Sequence, residues 1–205
     1  MHLYLVRHGE SGGNLGSDHS DDPGLTERGL RQACLAAQAL VGEGIAVLYA
    51  SPLSRSLQTA QAIADATGQR IHVWADIAEL WGGGRGVMPR TEIERRWPGV
   101  IMPDDMPEQW WPQQLPETEK DGYRRAARVE HNLREQFGAT ETRVALVGHG
   151  TFGAILMSQF LGAPPCGYTR FSQANCCISR LEISPERAKM IYQNRTCHLP
   201  ADMIT

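Results

Sequence analysis

The sequence has no long hydrophobic run and almost no excess of charge of either sign. No apolar stretch approaches the roughly 20 residues that a membrane-spanning helix needs, and the first apolar run, residues 3–6, is too short for the core of a secretory signal peptide. We therefore expect a soluble, cytoplasmic protein with no membrane partner. With 20 basic and 23 acidic residues, the formal net charge of -3 produces no overall field that would attract nucleic acid. Any attraction for anions must then be local.

Cysteine is scarce and poorly spaced for metal binding. The five cysteines lack the paired spacing of common zinc sites, and an odd number argues against a disulfide framework. The adjacent pair, Cys176 and Cys177, is typical of small apolar residues on opposite faces of a strand. The polar run DHSDD at residues 18–22 resembles a cluster for a hard metal ion, but before a Pro-Gly pair it is more typical of a solvated loop. We expect no metal and no other cofactor. The absence of a GxxxxGK(S/T) phosphate loop argues against a kinase.

Apolar strand-like runs alternate with segments of helical periodicity along most of the chain. Strands are predicted at residues 2–6, 47–50, 71–74, 143–147, 177–183 and 188–192. Helices are predicted at residues 26–41, 51–68, 123–137 and 152–161, with Thr26 as an N-cap and Gly68 as a terminator. A chain of 205 residues fits one domain, residues 1–205. We predict an α/β fold with a largely parallel sheet and crossover helices.

One region, at about residues 81–120, interrupts this alternation. It is rich in glycine, proline and tryptophan, and only the stretch TEIERRW resembles a helical turn. We interpret it as an insertion that packs over one end of the sheet and covers the active site. Its aromatic and basic residues either line a substrate lid or form a small satellite core; they are Trp81, Trp97, Trp110, Trp111, Arg85 and Arg90.

Charged side chains follow three of the predicted strands. Arg7 and His8 end the first strand, Arg55 lies in the first helical turn after the second, and His149 follows residues 143–147. Each alone has an ordinary explanation, such as a solvated strand end or a core histidine. In a parallel sheet, however, the carboxyl ends of the strands meet at one edge, where ligands bind. Two arginines, two histidines and helix N-termini together suit a phosphoryl group, which a histidine can attack.

These residues also carry a family resemblance. Arg7, His8, Gly9, Glu10 and Ser11 with Asn14 resemble the opening RHG motif of the histidine phosphatase superfamily, the phosphoglycerate-mutase-like group. LTERGLRQA, YASPLSRSLQTA, LVGHG and NCCI resemble four further family segments, in the family's order. The resemblance implies a phosphoglycerate-mutase-like fold of three α/β/α layers, with a mostly parallel central sheet and an antiparallel edge.

The resemblance also implies roles. His8 would be the nucleophile that becomes phosphohistidine, with Arg7, Arg55 and His149 around the phosphoryl oxygens and with Asn14 and Ser11 assisting. The family's general acid is a glutamate after the third strand, which corresponds to Glu79, and Asp76 is the alternative. The reaction requires a neutral His8, and we expect a cationic His149.

The function indicated is a metal-independent histidine acid-type phosphatase that hydrolyses a phosphate monoester. Its substrate would be a small-molecule phosphate ester or a phosphoprotein, and the oligomeric state is left open. A cofactor-dependent phosphoglycerate mutase is the weaker alternative, because no aromatic residue lies between Asn14 and Thr26 where mutases carry a tryptophan-containing segment. A second alternative is a non-catalytic phosphate-binding module. A two-histidine phosphodiesterase needs a second His-x-Thr/Ser motif, which His8 does not begin.

Overall fold

A six-stranded sheet forms the centre of the protein. The computed structural model describes residues 1–80, 87–111, 116–163 and 171–205. The strands lie in the order β3-β2-β4-β1-β5-β6, with the bounds β1 His2–Arg7, β2 Val47–Ala50, β3 Ile71–Val73, β4 Arg143–Gly148, β5 Ile178–Ile183 and β6 Ala188–Arg195. The first four strands in chain order pair in parallel, whereas β5 pairs antiparallel with β1 and β6 with β5. The predicted sheet, mostly parallel with an antiparallel edge, is confirmed.

Helices cover both faces of this sheet. The α-helices are α1 Gly12–Leu15, α2 Glu27–Leu40, α3 Ser54–Thr67, α4 Arg90–Arg96, α5 Glu119–Phe137 and α6 Gly150–Phe160, and short 3-10 helices occupy Ala75–Ile77 and Ala201–Met203. Strand β1 is buried on both sides: Tyr4 and Val6 join the core beneath α2 and α3, and Leu3 and Leu5 join the core beneath α5 and α6. The predicted three layers are therefore confirmed. In the described part of the chain, no helix has the length and hydrophobicity needed to cross a membrane.

Capping side chains explain where α1, α2 and α5 begin, and two of these starts differ from prediction. Thr26 accepts a hydrogen bond from the backbone of Gly29, as predicted for an N-cap. Helix α5 begins at Glu119 rather than near residue 123, because Thr118 and Asp121 form a capping box. Helix α1 was not predicted; a second capping box, between Ser11 and Asn14, forms this single turn in a glycine-rich stretch.

Residues 87–111 pack into the core on the α2 and α3 side. Ile93, Met106 and Trp110 are buried there, and the indole nitrogen of Trp110 donates to the carbonyl of Met88. The predicted helical turn is present as α4, and Ile101 bridges to β3 in parallel. Trp110 is therefore a core residue. Trp81 and Arg85 lie outside the described residues. That the whole insertion covers the active site stays a prediction.

The adjacent cysteines do not lie on a strand, contrary to the sequence analysis. Cys176 and Cys177 form the turn before β5, and Cys176 has a φ of 54°, in the left-handed region. Its backbone N–H donates to the carbonyls of Arg7 and His8, which draws the turn against the end of β1. Both side chains are fully buried, in keeping with small apolar residues.

Candidate active site

The pairing of β1 with β4 brings the two predicted site histidines together. Arg7 is in register with Gly148, and the backbone N–H of His8 donates to the carbonyl of Gly148 at 2.9 Å. His8 and His149 therefore follow neighbouring parallel strands at the same edge of the sheet. Their ring centroids are 5.1 Å apart.

The segment after β1 is held by α2 and α3. The backbone N–H of Glu10 donates to the Gln32 side chain at 2.7 Å, and that of Gly9 donates to Thr59 at 3.1 Å. Helix α2 approaches so closely that a Cβ on Gly29 would lie 2.0 Å from the carbonyl oxygen of Glu10. The glycine and glutamine of LTERGLRQA and the threonine of LQTA thus hold the backbone of Gly9 and Glu10 in place after β1.

The environment of His8 selects one protonation state and one tautomer. Nδ1 lies 2.7 Å from the carbonyl oxygen of Gly9, and because a carbonyl only accepts, Nδ1 carries the proton and Nε2 keeps its lone pair. Burial lowers the pKa of His8 well below 6.5, and the charges of Arg55 and Arg7 lower it further. The side chain is thus a neutral imidazole with an unprotonated Nε2.

His149 is also neutral, so the expected cation was wrong. Burial is the main reason that its pKa falls well below 6.5, and Arg55 is the largest of the charges that add to this. Nε2 lies 2.8 Å from Oγ of Ser51, which in turn accepts from the backbone N–H of Leu53. The Ser51 hydroxyl keeps its own proton while it accepts from Leu53, so it can donate to Nε2; in that tautomer of His149 the imidazole proton sits on Nδ1. Within the described residues, Nδ1 is buried without a hydrogen-bond partner.

Arg55 reaches the site from the start of α3 and is paired with Asp22. The two side chains are 13 % and 6 % exposed, and their nearest charged atoms are 3.8 Å apart. Asp22 also accepts from the backbone N–H and the hydroxyl of Ser54, at 2.9 and 2.8 Å. The prediction of a solvated loop was therefore wrong for Asp22, because the fold buries it against the N-terminus of α3.

Arg7 is held by a segment that the sequence analysis did not single out. Its guanidinium donates to the carbonyl of Gln173, and the Gln173 side chain donates to the carbonyl of Gly150 at 2.8 Å. Gly150 lies next to this guanidinium, since a Cβ built on it would be in ordinary contact with Nε of Arg7, at 3.4 Å. In the described part of the chain, Nε of Arg7 is a second buried donor without a partner.

The side chains of Ser11 and Asn14, which follow His8 in the chain, hydrogen-bond to each other and to the local backbone. The amide oxygen of Asn14 accepts from the backbone and the hydroxyl of Ser11, both at 3.1 Å, and from Asn175 at 3.2 Å. Asn175 also donates to the carbonyl of His8 at 3.0 Å. Since the oxygen of Asn14 is occupied, its amide NH2 is the group available to a ligand.

Glu79 lies at the N-terminus of α6, next to His149. Its carboxylate accepts from the backbone N–H groups of Thr151 and Phe152, at 3.1 and 2.8 Å. Its charge raises the pKa of both Arg7 and Arg55, although burial dominates and lowers both values. Glu79 therefore faces the same group of charges as the two histidines.

The side chain of the alternative acid, Asp76, binds an arginine of α5. Its carboxylate pairs with Arg128 on α5 at 2.7 Å. Among the described residues, no three His, Cys, Asp or Glu side chains are grouped so that they could share a metal ion. The geometry thus gathers Arg7, His8, Arg55, Glu79 and His149 at one edge of the sheet. This arrangement of two guanidiniums beside an unprotonated imidazole nitrogen suits an anionic group such as a phosphoryl group.

Comparison with known families agrees with this geometry. The family model of the histidine phosphatase superfamily (branch 1) matches residues 3–196. The chain belongs to this superfamily. Like the relatives found, superfamily members are phosphatases or phosphotransferases.

Some of the similar proteins are named as mutases and others as phosphatases. A protein from Yersinia enterocolitica named "Probable phosphoglycerate mutase GpmB" is 33% identical over 196 residues, which cover 89% of this chain and 85% of the relative. A Yersinia pestis protein of the same name is 34% identical with the same coverage. Among solved structures, a mutant phosphoserine phosphatase from Entamoeba histolytica in complex with phosphoserine superposes with a TM-score of 0.73 at 24% identity, covering 97% of this chain and 99% of that chain. At 24% identity, the superposition on the phosphoserine phosphatase shows a similarity of fold alone.

Proposed function

We propose that the protein is a phosphatase that hydrolyses small phosphate monoesters through a phosphohistidine on His8. The observation that carries the proposal is the state of His8: buried, neutral, protonated on Nδ1 by its bond to Gly9, and flanked by Arg7 and Arg55. Such an imidazole presents an unprotonated Nε2 as a nucleophile, and the adjacent guanidiniums attract the anion to be attacked.

In the first step, Nε2 of His8 attacks phosphorus in line, and the N–P bond forms as the bond from phosphorus to the ester oxygen breaks. Arg7, Arg55 and Nδ1–H of His149 hold the equatorial oxygens. Two of the buried donors without a partner in the described residues, Nε of Arg7 and Nδ1 of His149, belong to this site, which supports their use by a ligand oxygen. Protonated Glu79 delivers its proton to the departing alcohol.

In the second step, a water molecule attacks the phosphorus of the phosphohistidine. Glu79, now a carboxylate, takes one proton from the water, the N–P bond breaks and Nε2 regains its lone pair. Inorganic phosphate leaves, and each group is back in its starting state. No step uses a metal ion, so we propose a metal-independent reaction.

We further infer that residues 81–120 form an insertion within one domain and cover the active site. Trp110 and Glu117 from this segment line a cavity of about 410 Å³ together with Glu79, which supports an insertion close to the proposed acid. Asp76 and Arg125 line the same cavity, so it lies behind Glu79 and does not measure the space for the substrate.

A mutase is the second candidate, because the curated relatives at 33% and 34% identity bear that name. The two functions differ only in what accepts the phosphoryl group from His8: water in a phosphatase, or a hydroxyl of a phosphoglycerate in a mutase. The assay that separates them follows 3-phosphoglycerate with a 2,3-bisphosphoglycerate primer. Release of inorganic phosphate supports the phosphatase, and interconversion of the 2- and 3-phospho isomers supports the mutase.

The proposed function is tested with a chromogenic aryl phosphate and a panel of metabolite esters, in the presence of a chelator. We expect turnover by the wild type, none by His8→Ala, and impaired turnover by Glu79→Gln. Binding of inorganic phosphate with no turnover on any ester would instead identify a phosphate-binding module.

A further inference from the structure

A buried guanidinium lies behind Glu79, outside the phosphoryl site. It belongs to Arg125 of α5, whose side chain is 8 % exposed and pairs with the equally buried Glu117 at 2.8 and 3.2 Å. A buried ion pair of this kind adds little net stability, because the desolvation of both charges opposes their attraction. Its contacts with neighbouring segments therefore point to its role.

Arg125 binds the backbone of the segment that presents Glu79. Its NH1 group donates to the carbonyls of Asp76 and Ala78, at 2.9 and 2.5 Å, and its NH2 group donates to the carbonyl of Glu79 at 3.2 Å. Together with the two bonds to Glu117, these use all the N–H donors of a guanidinium. One side chain thus holds three carbonyls within a four-residue segment.

The same guanidinium also contacts the helix that receives the Glu79 carboxylate. It lies over the Phe152 ring, 4.3 Å from the centroid, and the backbone N–H of Phe152 donates to Glu79. A closed circuit therefore runs from Arg125 to the backbone of Glu79, from its carboxylate to the N-terminus of α6, and back through Phe152. The circuit leaves the carboxyl group little freedom to move relative to His149 and α6.

We propose that Arg125 is a positioning residue for general acid catalysis: it holds the segment of residues 76–79 so that the Glu79 carboxyl group meets the departing ester oxygen. This inference rests on the proposed function, in which Glu79 is the acid. Lysine would not replace Arg125, because an ammonium is a compact point charge without the planar fork that spans several carbonyls.

Helix α5 supplies a matched control. Arg134 also lies over an α6 aromatic ring, 5.6 Å from the centroid of Phe160. It pairs with Glu130 at 2.9 Å and donates to the carbonyl of Ser184. It shares the helix, the type of ring contact and the type of loop contact with Arg125, but its loop contact is at Ser184 rather than at residues 76–79.

The test compares kcat/KM for two aryl phosphates, 4-nitrophenyl phosphate and phenyl phosphate. The first releases an acidic phenol that needs little protonation, whereas the second depends on the acid. In Arg125→Lys and Arg125→Met we expect kcat/KM for phenyl phosphate to fall at least about tenfold further than for the nitrophenyl ester, a fraction of the 10²–10⁴ typical of a lost general acid. In Arg134→Met, both esters are expected to change equally.

Two further variants separate this inference from the proposed function. Glu79→Gln should show the same selective loss for phenyl phosphate. The double variant Glu79→Gln/Arg125→Lys should have the same ratio of the two kcat/KM values as Glu79→Gln alone, because Arg125 acts through the Glu79 carboxyl group. If Glu79→Gln affects both esters equally, the assignment of the acid fails. If Glu79→Gln is selective but the folded Arg125 variants keep the wild-type ratio, only the role of Arg125 is overturned. Should Arg125→Met fail to fold, Arg125→Lys alone decides.

Discussion

The imidazole rings of His8 and His149 lie with their centroids 5.1 Å apart and their planes inclined by 57°. Parallel pairing of β1 with β4 creates this contact, because each histidine follows the last paired residue of its strand. Both rings are buried, and the charges of Arg55 and Arg7 lower the pKa of each beyond the effect of burial. The site therefore concentrates positive charge on two arginines and keeps both histidines neutral.

The first prediction concerns the nucleophile. His8→Ala should lower kcat/KM for an aryl phosphate by at least about 10⁴, since covalent catalysis loses its reacting atom. His131→Ala is the matched control, because that imidazole is 75 % exposed on α5. Trapping with a radiolabelled phosphate ester should label the wild type and His131→Ala but not His8→Ala. A label that survives in His8→Ala would assign the nucleophile elsewhere.

The second prediction concerns stability at acid pH. The folded-state pKa values of His8 and His149 lie well below 6.5, which is their value in an unfolded chain. Below pH 6.5 the unfolded chain therefore binds protons that the folded protein does not. The free energy of unfolding should decrease as the pH falls from 6.5 towards the folded-state pKa values, by up to about 1.4 kcal/mol per pH unit for each histidine.

Urea denaturation between pH 7.5 and pH 5 measures this loss, at urea concentrations up to about 8 M, as does NMR of the histidine ring protons. His149→Gln removes one titrating group and should make the dependence on pH shallower. If the His8 and His149 ring signals titrate near pH 6.5 in the folded protein, the neutral state described above is wrong.

The third prediction concerns Asp22. Asp22→Ala removes two hydrogen bonds to Ser54 at the start of α3 and leaves Arg55 without its paired carboxylate. We expect the free energy of unfolding to drop by about 1–2 kcal/mol, the range for a lost helix cap. Asp18→Ala, in the same loop but exposed, should have a much smaller effect. Equal midpoints for the two variants in thermal unfolding would contradict the role given to Asp22.

The fourth prediction concerns the turn before β5. Cys176 holds a φ of 54°, which a β-branched residue adopts only with strain, and its backbone N–H contacts the end of β1. Cys176→Val should therefore lower the free energy of unfolding by about 1–3 kcal/mol more than Cys177→Val, an equally buried neighbour without positive φ. Chemical denaturation of the pair of variants gives the difference directly. A larger loss in Cys177→Val would show that packing volume rather than backbone strain dominates there.

Local patterns predicted most of the elements and their order. The strand Val47–Ala50 and the helix end at Gly68 agree with the sequence analysis, because apolar periodicity and a glycine terminator act within a few residues. Helix α1 and the start of α5 were missed, because side chains rather than periodicity define them. The positions of Arg7, His8, Arg55 and His149 followed from strand ends together with the family resemblance.

The sequence by itself determined the alternation of strands and helices, and with it which charged residues end the strands. Only the tertiary structure decided which polar groups are buried together: it moved Asp22 from a solvated loop to Arg55, made His149 neutral, and placed Arg125 behind Glu79. The physical reason is that periodicity and capping act between near neighbours in the chain. Desolvation and Coulomb interactions instead depend on segments that meet only when the sheet and its helices assemble.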